Sequence, residues 1–278
     1  MSQDPPYRHL SEIPMVYPLP DADQVVVRLG VEYRQTESGP LTLDVYLPAR
    51  RQASVALPAI VLVAGYSDVG YQGVTGCRFK DMAMCTTWAK LVASFGMAAV
   101  TYGNARPAED LDTVLSYIRA NAAELGIDAE RLALWGLSGN GALALATLAS
   151  SPAGSFRCAV FSCPYLADLD GATHVADASR QWRFIYPDGF RVENLPVDLP
   201  VFIARAGQEQ DPGLNHALDR LVAAMLVSNR PVTCVNFAAA PHGFELFHDT
   251  LETREVMRQM FRFARFHLAG TAADGVNV

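Results

Sequence analysis

The sequence predicts an α/β domain: a mostly parallel central sheet flanked by helices, opened by an antiparallel hairpin and interrupted by a short irregular cap insertion. Three observations predict it. Two alternating β-branched runs open the chain, six short and nearly continuous apolar runs follow, and segments of helical spacing lie between those runs. Alternation of buried strands with helices implies right-handed crossovers and a parallel sheet covered on both faces.

The hairpin comes first. Residues 25–33 and 41–47 alternate with strand periodicity and are separated by Thr36, Glu37, Ser38, Gly39 and Pro40, which is turn chemistry. Residues 59–64, 98–102, 132–135, 158–161, 201–204 and 232–237 read as strands buried on both faces. Residues 82–95, 109–125, 139–149, 214–227 and 251–268 carry helical spacing. Two stretches break the alternation. Residues 67–80 read as a glycine-bearing loop, and residues 164–200 as a long insertion carrying Trp182, Phe184, Tyr186 and Phe190. Loops of that length usually serve function, so these aromatics form either a small core of their own or a substrate lid. The expected organisation is a lead at 1–24, one domain over 25–270 with its cap at about 164–200, and a tail at 271–278.

Composition bounds the partners. The chain has 278 residues, half of them hydrophobic and 18% charged, which is a globular balance and not a disordered one. Twenty-two Lys and Arg against 29 Asp and Glu leave a net charge of −7, so nucleic acid and anionic membranes are poor partners. No apolar stretch reaches the ~18 to 20 residues of a membrane span, and the polar, proline-punctuated start does not read as a secretory signal. A cytoplasmic location is the expectation. Five cysteines without C-x-x-C spacing argue against a disulfide framework and a zinc ribbon. No metal or nucleotide cofactor is expected, since H-E-x-x-H, a Walker-type loop and an early G-x-G-x-x-G are all missing from the sequence. A strand edge or the apolar last helix could pair with a second copy.

The chemistry concentrates at three places. Residues 132–141 read Leu-Ala-Leu-Trp-Gly-Leu-Ser-Gly-Asn-Gly, a buried strand turning at Ser138 into an alanine-rich helix, which is where a nucleophile elbow sits. The usual pattern has glycine two before and two after the serine. Here Gly136 is present, Asn140 takes the later position, and the glycines move to 139 and 141. A serine hydroxyl is a weak nucleophile without a base, and the chain order for this architecture is serine, acid, histidine. His242, in Ala-Pro-His-Gly-Phe just after the last strand, is the best placed of the six histidines. The acid is ambiguous. The loop after 201–204 offers Glu209, which is favoured, and Asp211, with Asp168 and Asp170 as a remote third choice. Acyl transfer also needs donors for an oxyanion, and the backbone amides of Gly139 and Tyr66 are the candidates.

With these residues, the chain resembles the α/β-hydrolase superfamily, and within it the dienelactone-hydrolase-like and small serine carboxylesterase branch. The resemblance covers about residues 25–268. It rests on Leu-Asp-Val-Tyr-Leu-Pro at 43–48, Ala-Gly-Tyr at 64–66, Gly-Leu-Ser-Gly-Asn-Gly at 136–141, Ala-Gly-Gln-Glu at 206–209 and Pro-His-Gly-Phe at 241–244. It implies a cofactor-free serine hydrolase with Ser138 as nucleophile, His242 as base and Glu209 as acid, acting on small carboxylic esters with short-chain or aromatic groups. Dienelactone hydrolases carry cysteine where this chain has Ser138, and aspartate is commoner than Glu209. Two other readings stay open at this point: an S9-like peptidase, which shares the fold and residue order, and a binding protein on a hydrolase scaffold that has lost catalysis.

Overall fold

A computed structural model describes residues 7–19, 25–52 and 55–269. The expected tail at 271–278 and much of the expected lead at 1–24 lie outside the described residues. Among those described, β1 (Val25–Thr36), β2 (Gly39–Pro48), β3 (Leu57–Leu62), β4 (Ala98–Tyr102), β5 (Ile127–Leu137), β6 (Cys158–Ser162), β7 (Val201–Gln208) and β8 (Val232–Pro241) form one sheet in the order β1-β2-β4-β3-β5-β6-β7-β8. β1 and β2 run antiparallel to each other and β2 runs antiparallel to β4, while all pairs from β4 onward are parallel.

The hairpin turn is tighter than the sequence suggests. Thr36 pairs with Gly39, leaving only Glu37 and Ser38 between the strands. The Thr36 hydroxyl donates to the Gly39 carbonyl at 2.7 Å and accepts from the Ser38 amide at 3.2 Å, so a threonine that reads as turn chemistry closes the ladder instead. Further along β1 the register slips at Gly30, whose φ is +71° and whose amide donates to Asp44 Oδ1 at 2.8 Å. The other Asp44 oxygen accepts from Lys80 Nζ at 2.6 Å, with both side chains 5% exposed or less. A paired and hydrogen-bonded charge is the form in which an ionised group tolerates such burial.

Trp135 on β5 packs between Trp88 of α2 (Ala83–Ser94) and Phe261 of α9 (Leu251–Leu268), with ring centroids 5.3 and 5.0 Å apart, which seats both helices on one face of the sheet. The neighbouring Gly136 points to the opposite face, where α5 (Asn140–Ser150) lies against β5. α3 (Pro107–Ala120), α4 (Ala122–Leu125) and α7 (Leu214–Val227) complete the main flanking helices, and the single turn α8 (Phe244–Phe247) follows β8. The single helix expected at 109–125 is two, divided at Asn121, and it starts earlier because Pro107 fits a first helical turn while Asp110 Oδ2 accepts from the amides of Ala105 and Arg106.

Residues 67–80, expected to be a loop, contain α1 (Asp68–Thr75) and a 3-10 turn at Phe79–Asp81. Gly70, Gly73 and two valines lower the helix propensity there, and capping outweighs them. Ser67 Oγ accepts from the Gly70 amide at 3.2 Å, and Gly76 ends the helix with a φ of +83°. The buried Asp68 carboxylate then ties the segment down by accepting from the amides of Phe79 and Asn104. The 164–200 insertion contains α6 (His174–Trp182) and a 3-10 turn at Val192–Asn194. Its Phe184 joins Tyr165, Val175 and Leu214 in a small apolar cluster beside the main core.

Candidate active site

The sheet order reverses at β3, because the chain passes to β4 on one side of it and to β5 on the other. In open α/β sheets the crevice at the carboxyl ends of such strands is where ligands bind. Ser138, at the end of β5, and Tyr66, on the loop leaving β3, both lie there.

Ser138 has a φ of +55°, a left-handed conformation that a residue with a Cβ keeps only where its surroundings impose it. Its amide donates to the Ser162 carbonyl at 3.0 Å, and its carbonyl accepts from the amides of Gly141 at 3.0 Å and Tyr165 at 3.1 Å. The shifted glycines have a direct geometric use. A Cβ on Gly136 would stand 2.6 Å from the Gly141 Cα, so it is the pair 136 and 141 that lets α5 close on β5. Asn140 is buried, and its Oδ1 accepts from the Gly65 amide at 2.7 Å, bolting the start of α5 to the β3 exit loop.

The Ser138 Oγ lies 2.8 Å from His242 Nε2. His242 follows β8, and its Nδ1 is hydrogen-bonded to Glu209 Oε2. A carboxylate on Nδ1 fixes the tautomer in which Nδ1 carries the proton and Nε2 is free to accept one. Glu209 follows β7, which can approach β8 closely because Gly207 has no side chain: a Cβ there would be 2.4 Å from the Ala238 carbonyl oxygen. The Glu209 side chain is 7% exposed, and its second oxygen accepts from the amides of Gln210 at 2.9 Å and Asp211 at 3.0 Å. Burial pushes this carboxyl up, but the hydrogen bond and charge of His242, with the two amides, outweigh burial and hold it below the ordinary glutamate value.

Of the two oxyanion candidates, the Gly139 amide starts α5, at the positive end of that helix. The Tyr66 amide donates to no other group among the described residues, while the Tyr66 carbonyl accepts from Asn104 Nδ2 at 3.0 Å. The Tyr66 ring turns back over Gly139, with Phe184 beside it.

The BD-FAE family model matches residues 43–160, the stretch from β2 through the Ser138 turn to β6. No curated protein matches the chain. Among solved structures, a bacterial heroin esterase superposes with a TM-score of 0.66 at 17% identity, covering 90% of this chain and 86% of that one. A thermophilic esterase of the Planctomycetes species Thermogutta terrifontis does so at 0.64 and 19%, covering 92% and 97%. That same esterase 2, phosphoramylated by tabun, gives 0.63 and 16%, covering 93% and 98%. The chain is an α/β hydrolase in fold. These matches show the fold and do not extend to the dienelactone-hydrolase branch that the motifs resemble.

Within the hydrolase fold the remaining carboxylates have other tasks. Asp211, the alternative acid, does not meet the imidazole: its Oδ2 accepts from the Tyr165 hydroxyl at 2.8 Å and from Trp182 Nε1 at 3.1 Å, which ties the end of α6 to the site wall. Asp168 accepts from the amides of Val175 and Ala176 at the start of α6 and from the Tyr186 hydroxyl. Asp170 pairs with Arg220. Among the described residues, no three His, Cys, Asp or Glu side chains are grouped so as to hold a metal ion, and no helix is long and apolar enough to cross a membrane.

Several contributors to the candidate site carry no sequence signal. Tyr165 sets its ring 5.0 Å from that of His242. Beneath the imidazole, the Gly243 amide donates to Cys163 Sγ, and the Cys163 thiol faces the buried Glu245 carboxyl at 3.7 Å. Burial pushes Glu245 up to about 7. These contacts join segments about 80 residues apart, and neither spacing nor periodicity announces them.

Proposed function

We propose that the protein hydrolyses carboxylic esters through an acyl-enzyme, with Ser138 as nucleophile, His242 as general base and then acid, and Glu209 as the orienting carboxylate. The observation that carries this reading is the continuous chain of hydrogen bonds from Ser138 Oγ through both His242 nitrogens to a buried, ionised Glu209. As Ser138 Oγ adds to the ester carbonyl carbon, its proton passes to His242 Nε2, and Glu209 stabilises the imidazolium that results. The amides of Gly139 and Tyr66 receive the negative oxygen, each donor being worth about 2.7 to 4 kcal/mol. The imidazolium then protonates the leaving alcohol, and a water activated by the same His242 releases the acid.

The similarity in fold to proteins described as esterases supports the choice of esters. A serine and base paired in this way also serve amide hydrolysis, so substrate class is what an experiment must decide. The motifs resemble those of hydrolases of small esters, so the acyl group proposed is a short one. The expected result is turnover of p-nitrophenyl acetate and butyrate at least ~10-fold faster than the octanoate, with an aminoacyl p-nitroanilide left intact. Hydrolysis of the anilide alone would overturn the esterase reading.

A further inference from the structure

The Tyr66 side chain lies over Gly139, the residue that follows Ser138. Gly65 and Tyr66 are fixed by three hydrogen bonds: the Gly65 amide donates to Asn140 Oδ1 at 2.7 Å, the Gly65 carbonyl accepts from the Ile185 amide at 3.0 Å, and the Tyr66 carbonyl accepts from Asn104 Nδ2 at 3.0 Å. One residue earlier, the Ala64 amide donates to the Tyr102 hydroxyl at 3.1 Å. The ring itself is held edge-on by Tyr71, at 5.3 Å between centroids, and by Phe184, at 5.8 Å.

So placed, the Tyr66 hydroxyl comes over Gly139 closely enough that a Cβ on that glycine would stand 2.3 Å from it. Burial pushes the phenol up, with Ser138 and the Gly139 amide pulling the other way, so at neutral pH it keeps its proton and can donate. A neutral donor fixed beside the nucleophile stabilises charge without having to reorganise during the reaction. A surface tyrosine would lack this constraint.

We propose that Tyr66 is a catalytic residue whose phenol donates a hydrogen bond to the substrate's carbonyl oxygen as it becomes an oxyanion on attack by Ser138, beside the Gly139 amide. The proposal rests on the serine-hydrolase reading and adds a side-chain donor to it. When the substrate carbonyl oxygen enters, it takes the Gly139 amide as donor and the phenol O–H turns onto it. Addition of Ser138 Oγ moves the carbonyl π pair onto that oxygen, and collapse returns the pair as the alkoxide leaves with the proton from His242. The phenol gives up no proton in either half of the cycle. The same position makes Phe184 and Tyr71 positioning residues, since their rings hold the phenol in place.

Tyr66→Phe tests this directly, because it removes the hydroxyl and keeps the ring that packs on Tyr71 and Phe184. With p-nitrophenyl acetate, kcat is expected to fall by about 10² to 10³, the range seen on losing one oxyanion donor. KM should stay within about threefold and the melting temperature should be unchanged, which a merely structural role would not produce. A long incubation with a fluorophosphonate should still label Ser138 completely, showing that nucleophile and base are intact. Wild-type kcat in Tyr66→Phe, or a higher one, would overturn the proposal and leave the serine-hydrolase reading standing. A wild-type protein that neither hydrolyses esters nor takes the label would overturn both.

Discussion

Glu209→Gln is expected to lower kcat for p-nitrophenyl esters by about 10³ to 10⁴, whereas Asp211→Asn lowers it by less than about tenfold. The two residues are near neighbours in sequence, and their surroundings separate them. Glu209 directs one oxygen to His242 Nδ1 and anchors the other on the amides of Gln210 and Asp211. A glutamine there offers an amide in place of the carboxylate, so it no longer compensates the imidazolium and can hold the ring in the wrong tautomer. Asp211 instead accepts from Tyr165 and Trp182, and the Asn carbonyl oxygen can still accept from both. Steady-state kinetics on the two variants decides the point. Equal and mild losses would place the acid elsewhere.

Gly139→Ala is expected to lower kcat by at least about 10² and to cost about 1 to 3 kcal/mol of stability. Gly139 has a φ of −61° and a ψ of −17°, helical values that alanine adopts freely, so the backbone does not require glycine. The space does. An alanine Cβ would meet the Tyr66 hydroxyl at 2.3 Å and the Phe184 ring at 2.6 Å. The phenol oxygen is the far end of its side chain and can swing away from the nucleophile, whereas the Phe184 ring is buried in its cluster and must shift with its neighbours, which costs stability as well. Denaturant melts alongside kinetics check this. A variant with full activity would mean that the placement of those rings does not matter to catalysis, and one that fails to fold would mean that they cannot move.

How much of this was legible in the sequence follows from the range of the forces involved. The central strands were visible because burial on both faces leaves continuous apolar runs, but 232–237 misleads: β8 is the edge of the sheet, and only its Phe237 and Ala240 are buried. α7 and α9 begin and end where their spacing indicates. α9 is fixed at its start by a local cap, the Thr250 side chain accepting from the Thr253 amide, and such a cap is written in adjacent residues. α1 was hidden because its glycines and valines argue against a helix, while the carboxylate that anchors it receives amides from Phe79 and from Asn104 on a different loop.

The site divides in the same way. Ser138 and His242 stand out because the strained turn and the post-strand loop each have a local pattern, and the structure brings the two together. Choosing between Glu209 and Asp211 depends on which way a short loop turns its side chains, which the residue types do not record. Asn140 looks like a defect in the motif, and its hydrogen bond to Gly65 spans 75 residues. The Tyr66 phenol gives no signal either, since its place depends on Phe184, contributed by the cap.

The central claim is that Ser138 is a nucleophile activated by His242. The most direct test is intact-protein mass spectrometry after exposure to a fluorophosphonate, followed by peptide mapping. One phosphonyl group per chain is expected, on the peptide that contains Ser138 and absent from Ser138→Ala. A folded wild-type protein that stays unmodified, or a Ser138→Ala variant modified to the same extent, would contradict it.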